Sequence, residues 1–482
     1  MSTPTAERGV AWGSPAATGI LATTILGSGI AMMDGFIINV ALTRIGHELG
    51  STIAGLQWIV DGYLLVMAAL ILVAGSLGDR YGRLRLFKIG IVWFTAASLL
   101  CGLAPNTATL VAARVLQGVG AALLTPASLA ILQSGFRQRD RSRAIGAWSA
   151  ITGLTSVIGP LVGGLLIQAW SWRLTFLINL PIGILCLWLA RRHVPDHCDE
   201  RTGGRPDITS TVLGALGLAG ITAALVEQGT RGWTDPLILG CAIVGVLALT
   251  AFCLLQVRSH DPLVPPELFA SHTFTVANAL TFMVYAALGG MGFLMVQQLQ
   301  VSLGYSPTAA GIASVPVAVL MFLLAERSGE LAQRIGPRLQ LIAGPLMVAA
   351  GMLLLRRVVP GATYLGSVLP GVLVFGIGLT LMVAPVTAVA LAAAPDRHAG
   401  VASGVNNAVA RTGSLLAVAV LPAAVGLSGT AYADPIALTS AWKLALLICA
   451  VAAGAGGVLA AGMDNNVLSA RSDDATTPDG RR

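Results

Sequence analysis

Charge is what this sequence has least of. Only 11% of its 482 residues are charged, against roughly 25% in a soluble globular domain. With 55% hydrophobic residues and a mean hydropathy of +0.80, a water-soluble enzyme is excluded. Lysine is nearly missing: Lys88 and Lys443 are followed by Ile and Leu, never by Ser or Thr, so there is no P-loop and no ATP is expected. The six cysteines show no CxxC spacing, and all but Cys198 fall in apolar runs. They read as small core residues, not as a disulfide framework. None of the six histidines lies well inside an apolar run. The stretch His193-Val-Pro-Asp196-His197-Cys198 looks metal-like but sits in a charged, proline-containing linker, so no metal site is expected. The net charge of +7 is spread in short clusters between apolar runs, which argues for membrane topology and against a nucleic-acid partner.

Long apolar runs are what the sequence has instead. They fall at Ala17–Leu42, Leu56–Leu77, Ile89–Ala104, Ala108–Leu132, Ala144–Ile167, Leu174–Ala190, Ile208–Val226 and Pro236–Val257. Six more follow, at Phe274–Val301, Ala309–Ala325, Leu339–Leu355, Tyr364–Ala394, Val401–Leu427 and Ala441–Ala461. Each is about the length that crosses a bilayer as a helix, roughly 20 residues. The fold class is therefore an all-α polytopic membrane protein with 14 transmembrane helices. The first run follows a polar stretch over residues 1–16, is too long for a signal-peptide core, and carries an internal acid, so it reads as a retained span.

An even number of spans puts both termini on one side. With the termini inside, 21 of the 29 Lys+Arg fall on the inner side and only Arg44, Arg173, Arg231, Arg356, Arg357 and Lys443 in outer loops. Arg114 and Arg411 are left within spans. The bias predicts a cytoplasmic (inner) membrane protein with cytoplasmic termini.

A short motif occurs twice. Gly75-Ser-Leu-Gly-Asp79-Arg80-Tyr-Gly82-Arg83 follows span 2, and Gly329-Glu-Leu-Ala-Gln-Arg334-Ile-Gly336-Pro follows span 10. Two six-helix halves would place such a loop after their second helix, so spans 7 and 8 are an insertion between the halves. The expected organisation is a tail (1–16), an N-terminal six-helix bundle (17–190), a linker (191–207), the inserted pair (208–257), a linker (258–273), a C-terminal bundle (274–462) and a tail (463–482). Repeated bundles in a membrane point to a secondary transporter with a central site at the repeat interface.

With these motifs in place, the chain resembles the major facilitator superfamily, and within it the 14-span drug:proton antiporter branch. The loop Gly75 to Arg85 matches the superfamily signature except for Leu84, where a basic residue is common. Met33-Asp34-Gly-Phe-Ile-Ile-Asn39 resembles the branch's first-span motif, and Arg114-Val-Leu-Gln117-Gly118-Val-Gly120 its fourth-span motif. Thr155-Ser-Val-Ile-Gly159-Pro160-Leu-Val-Gly163-Gly164 resembles the fifth-span antiporter motif, with Thr155 in place of its first glycine. Trp172 to Gly183, with Asn179 and Pro181, looks like the branch's sixth span. The resemblance implies two pseudo-symmetric bundles working by alternating access, driven by the proton motive force without a cofactor. It also implies that Arg114 belongs to a proton-relay element.

The physics singles out the same residues. Asp34 lies about 25 Å along span 1, and Asp61 about 8 Å into span 2. A carboxylate at such depth is costly unless it is protonated, paired or facing water, which suits proton coupling or cation recognition; a structural hydrogen-bonded carboxylate is the alternative. Arg114 stays charged and must face a cavity or a carboxylate. Arg411, the only full-depth charge of the second half, is expected to pair with Asp34 across the bundles in one state. Asp79, Arg80 and Arg83 with Gly75 and Gly82 read as a gating latch on the cytoplasmic side. Gly159, Pro160, Gly163 and Gly164 permit close contact and a kink that would seal the outer end of the cavity. Asn39, Trp58, Gln117, Asn179, Tyr285, Gln297, Asn406 and Asn407 are candidates for the cavity lining.

The favoured function is export of amphipathic or cationic small molecules in exchange for protons, with membrane lipids as the only other partner. A specific secondary metabolite or a lipid remains open as substrate, as does uptake by proton symport. A membrane-embedded transferase would need a catalytic His, Cys or acid pair at one interface, usually with a sizeable soluble domain; no histidine lies well inside a span, and no soluble segment is long enough for such a domain.

Overall fold

The computed structural model describes residues 9–194, 207–259, 262–395 and 399–468, leaving aside the side chains of Ser76, Asp79, Arg139, Ser142, Ala150, Ser156, Val157 and Ala399. Fourteen helices are long and apolar enough to cross a membrane. In chain order spans 1 to 6 are Pro15–Leu49, Ile53–Gly75, Arg83–Gly102, Thr107–Gly135, Arg143–Ala169 and Leu174–His193. Spans 7 and 8 are Ile208–Arg231 and Pro236–Arg258; spans 9 to 14 are His272–Ser302, Pro307–Ile335, Arg338–Leu355, Tyr364–Ala392, Gly400–Ala424 and Pro435–Gly462. Every run read from the sequence is one of these. Their ends differ in informative ways. Span 1 continues past Leu42 to Leu49, and span 3 starts at Arg83 where the apolar run starts only at Ile89. These charged turns carry the helix past the hydrocarbon edge, where their side chains reach water.

Polar caps set the boundaries. The Ser14, Thr52, Asn106, Asp235, Ser271, Ser306 and Asp434 side chains each accept a hydrogen bond from a backbone N–H of the following first turn. The two copies of the loop motif are matched in conformation. Gly82 and Gly336 both take positive φ, +94° and +84°, and each breaks the chain between two spans. Only glycine adopts that conformation without strain, so the repeat is structural as well as textual.

Packing repeats in the same way. Span 1 packs on spans 4, 5 and 6, span 2 on span 4, and span 3 on spans 4 and 6; spans 9 to 14 reproduce each of these contacts eight spans on. Between the halves, span 2 packs on span 13 and span 5 on span 10, related by the same exchange. The inserted hairpin breaks the symmetry. Span 7 lies on both span 2 and span 13, so the insertion covers one of the two seams between the bundles. Span 8 touches mainly span 7, through the small residues Gly217, Gly220 and Gly245, and leaves Ile243, Val244, Leu247 and Val257 exposed. Such a one-sided apolar surface is stable only against hydrocarbon, and this is a multi-pass membrane protein.

Candidate functional site

Asp34 sits in mid-helix on span 1 and is 2% exposed. Its carboxylate is taken entirely by the N-terminal bundle. Arg114 Nη1 of span 4 donates to Oδ2, Gln117 Nε2 donates to Oδ1 at 2.9 Å, and Asn179 Nδ2 of span 6 donates to Oδ1 at 3.2 Å. Arg114 also donates through Nε to the Ile59 carbonyl at 3.0 Å and through Nη1 to Gln117 Oε1 at 2.7 Å. Its guanidinium stands 4.2 Å from the centre of the Tyr63 ring, whose hydroxyl donates to the Ala31 carbonyl. Ser98 of span 3 accepts from both Gln117 and Asn179. Five of the six helices of the bundle thus meet on one ion pair. A buried pair with its remaining donors satisfied repays part of the desolvation cost, whereas removing one partner costs about 3–5 kcal/mol.

Asp61 has the opposite surroundings. It is fully buried on span 2, and neither carboxyl oxygen has a hydrogen-bond partner among the described residues. Its place explains why. At 100° per residue, Ala54, Gln57, Asp61, Leu65, Ala68 and Leu72 share one face. Gln57 Nε2 donates to the Val418 and Ala419 carbonyls at 2.7 and 2.9 Å, so this face lies against span 13. Asp61 is therefore in the seam between the halves, where helices bring apolar side chains and few free donors.

Arg411 is half-buried on span 13. The expected pairing of Arg411 with Asp34 is not what this conformation contains, because Arg114 is nearer in the same bundle and already occupies that carboxylate.

The bundles are bonded to each other at the end away from the chain termini. Besides Gln57, Gln300 Nε2 donates to the Val40 carbonyl at 3.1 Å, Tyr432 Oη to the Ser51 carbonyl at 2.8 Å, and Ile53 N to the Gly429 carbonyl at 2.8 Å. Each of these hydrogen bonds joins the two halves at this end. Of the fifth-span glycines, Gly164 serves the same closure, whereas Gly159 and Gly163 pack span 5 on span 1 within the N-terminal bundle. A Cβ on Gly159 or Gly163 would crowd Met33 and Ile37 of span 1, and one on Gly164 would stand 2.6 Å from Thr308 Cα of span 10. The Pro160 carbonyl in turn occupies the place that a Cβ on Gly311 would need. Gly164→Val is therefore expected to prevent closure. A Ser51→Cys reporter, at a residue 4% exposed in the closed form, should then react with a membrane-impermeant maleimide at least several-fold faster than in the Gly164 parent.

The other sequence candidates are scattered. Arg80 is exposed over Tyr81, Arg83 donates to the Ala130 carbonyl at 3.2 Å, and the side chain of Asp79 lies outside the described residues. Gly75, half-buried, meets nothing within 4 Å of its Cβ position. Of the proposed cavity lining, Asn39, Tyr285 and Asn407 are half-buried, and Gln117 and Asn179 belong to the Asp34 network. Three candidates are placed elsewhere. Trp58 points to span 7 and donates to Glu227 Oε1 at 3.0 Å. Asn406 ties span 13 to span 9 by donating to Asn278 Oδ1 and Thr281 Oγ1. Gln297 is fully buried, donating to the Phe293 carbonyl one turn back on its own helix. Periodicity gives a polar residue's height in the membrane but not which neighbour its face meets. Tyr63, Ser98 and Gln57 were missed because nothing in their spacing marks them, although the i, i+4 relation of Gln57 to Asp61 does put them on one face. Of the His193–Cys198 stretch only His193 and Val194 are among the described residues.

Two pseudo-symmetric six-helix bundles, closed on each other at one end around buried charges, define a two-bundle membrane carrier fold. The chain belongs to the Major Facilitator Superfamily, whose family model matches residues 24–418. It is 36% identical over 402 residues to the multidrug resistance protein Stp of Mycobacterium tuberculosis, covering 83% of this chain and 74% of that one. It is 37% identical to the puromycin resistance protein of Streptomyces alboniger (81% and 78% covered) and 32% identical to the methylenomycin A resistance protein of Bacillus subtilis (90% and 94%). Among solved structures, a POT family transporter in complex with 5-aminolevulinic acid superposes with TM-score 0.70 at 13% identity, covering 98% and 99% of the two chains. A bacterial homologue of the lysosomal transporter Spinster, inward-facing, superposes with TM-score 0.65 at 18% identity, covering 96% and 99%. At those identities the likeness is one of fold.

Proposed function

We propose that this chain is a proton-driven exporter of small amphipathic drug-like molecules, acting by alternating access in the cytoplasmic membrane with both termini in the cytoplasm. The relatives named for multidrug, puromycin and methylenomycin A resistance support the substrate class. The observation that carries the coupling is Asp61, buried without a partner in the seam between the halves. An ionised carboxylate there would carry an uncompensated penalty of several kcal/mol, while a neutral acid leaves only a modest unmet hydrogen bond. Asp61 therefore holds a proton when the outer end is closed and can release it once water or a cation reaches the seam. Asp34, already neutralised by Arg114, is the structural and relay partner. No cofactor, ATP or metal enters the cycle, and no chemical step on the substrate is proposed.

Direction is tested in everted membrane vesicles, where the cytoplasmic side faces the medium. An interior-acid gradient should drive accumulation of ethidium or puromycin above that in vesicles lacking the protein, and an uncoupler should release it. A proton symporter for uptake would instead empty preloaded vesicles under the same gradient.

The second reading, a narrow exporter of one antibiotic, is favoured by the relatives named for a single compound. It predicts a response to one member of an antibiotic panel.

A further inference from the structure

Two aspartates and two arginines lie deep in the spans, and they are not used equally. Asp34 and Arg114 take each other. Asp61 and Arg411 have no hydrogen bond or ion pair among the described residues. Opposite charges left over on different helices are informative when those helices face each other.

Spans 2 and 13 do, and their register is fixed at both ends. Near the outer end Gln57 bonds the Val418 and Ala419 carbonyls, and Ala54 clusters with Ala419. Toward the cytoplasmic end a Cβ on Gly404 would meet Leu72 Cδ2 at 3.0 Å. The two helices run antiparallel, so stepping from Gln57 opposite Val418 to Leu72 opposite Gly404 brings Leu65 opposite Arg411. Leu65 is one turn from Asp61 on the same face, an axial offset of about 6 Å toward the cytoplasm. An arginine side chain spans that offset when it swings outward along its helix.

The other charged or titratable groups around Asp61 are committed elsewhere. On span 7, Glu227 accepts from Trp58 and lies 3.8 Å from Arg231. On span 4, Arg114 is held by Asp34 of span 1, whose outer-end Glu48 is paired with Arg44. On span 3, Arg83, Arg85 and Lys88 stand in the first two turns at the cytoplasmic end, several helical turns from the height of Asp61. Tyr63, on span 2 itself, donates to the Ala31 carbonyl. Arg411 is the cation left for Asp61.

We propose that Arg411 is the counter-ion that receives Asp61 when it loses its proton, so that the seam between spans 2 and 13 carries an ion pair that forms only in the deprotonated carrier. The proton leaves the Asp61 carboxyl for water on the cytoplasmic side, the carboxylate is bridged by the guanidinium, and no other group changes charge. Because Arg411 lies on the cytoplasmic side of Asp61, its approach favours release inward over return to the outside. The inference rests on reading Asp61 as the proton site and adds the residue that discharges it.

The test is an infrared titration of the purified full-length protein in lipid nanodiscs without any transport substrate. The protonated-carboxyl band of Asp61 is assigned by its loss in Asp61→Asn. Arg411→Gln should move the disappearance of that band to higher pH by about one to three units, the range an opposite charge at contact distance commands. Arg411→Lys, which keeps the charge, should restore most of the wild-type midpoint and guards against a folding defect in the Gln variant. An unchanged midpoint in a folded Arg411→Gln protein overturns the pairing and leaves the transport reading intact. Absence of any titrating Asp61 band in the wild type overturns the proton site itself, and the pairing with it.

Discussion

Asp34→Asn is expected to lower the stability of the detergent-solubilised protein by about 3–5 kcal/mol, and to abolish transport. The substitution keeps the shape of the side chain but removes the negative charge that Arg114 is buried against, leaving a fully enclosed guanidinium with only the Ile59 carbonyl, Gln117 and the Tyr63 ring. Arg114→Gln should be equally damaging for the mirror-image reason. The discriminating variant is the double one. Asp34→Asn with Arg114→Gln removes both charges and leaves a neutral amide network with Gln117, Asn179 and Ser98, so most of the stability should return. A purely structural pair would then give back transport together with stability. The present account expects a stable protein that still fails to exchange protons. Thermal unfolding beside a flux assay separates the two.

Asp61→Asn is expected to do the reverse. An amide is close in shape to a neutral carboxylic acid, and the position has no partner among the described residues to lose. Thermal stability should therefore stay within about 1 kcal/mol of wild type, the scale of a single net hydrogen bond. Proton coupling should be lost altogether, because the variant imitates permanently the form that the closed carrier holds. Downhill substrate exchange, which needs no net proton movement, should survive. Two aspartates that look alike on paper, each a lone acid in an apolar run, thus separate cleanly. One is a fixed anion whose loss unfolds the bundle; the other is an acid whose loss leaves the bundle intact and uncoupled.

That separation was not legible in the sequence. Hydropathy alone gave the spans, because about 20 apolar residues in a row can do little else than cross a bilayer. The paired loops around Gly82 and Gly336 gave the two halves. The depth of Asp34, Asp61, Arg114 and Arg411 followed from counting along each helix. What counting cannot supply is rotation about the helix axis and the identity of the neighbouring helix. Trp58 illustrates the loss: at its height it reads as cavity lining, yet its face meets the inserted span 7 and binds Glu227. Arg411 illustrates it again, since Asp34 is at a suitable depth for it but is enclosed in the other bundle by Arg114, Gln117 and Asn179. Ser98 and Tyr63 carry no charge and no motif, so their part in the network emerges only when spans 2, 3 and 4 are packed together. The inserted pair is similar. Its existence was visible as two extra spans, but its seat over the seam of spans 2 and 13 depends on side-chain contacts that no run of hydropathy encodes.

The central claim is that a proton carried at Asp61 drives export. It is tested most directly in sealed proteoliposomes under an imposed inward proton gradient, either preloaded with ethidium or puromycin or left empty, with internal pH followed for wild type and Asp61→Asn side by side. The account predicts a substrate-triggered acidification in the wild type and none in a stably folded Asp61→Asn protein. Acidification at the wild-type rate in Asp61→Asn would contradict it and move the proton site elsewhere in the bundle.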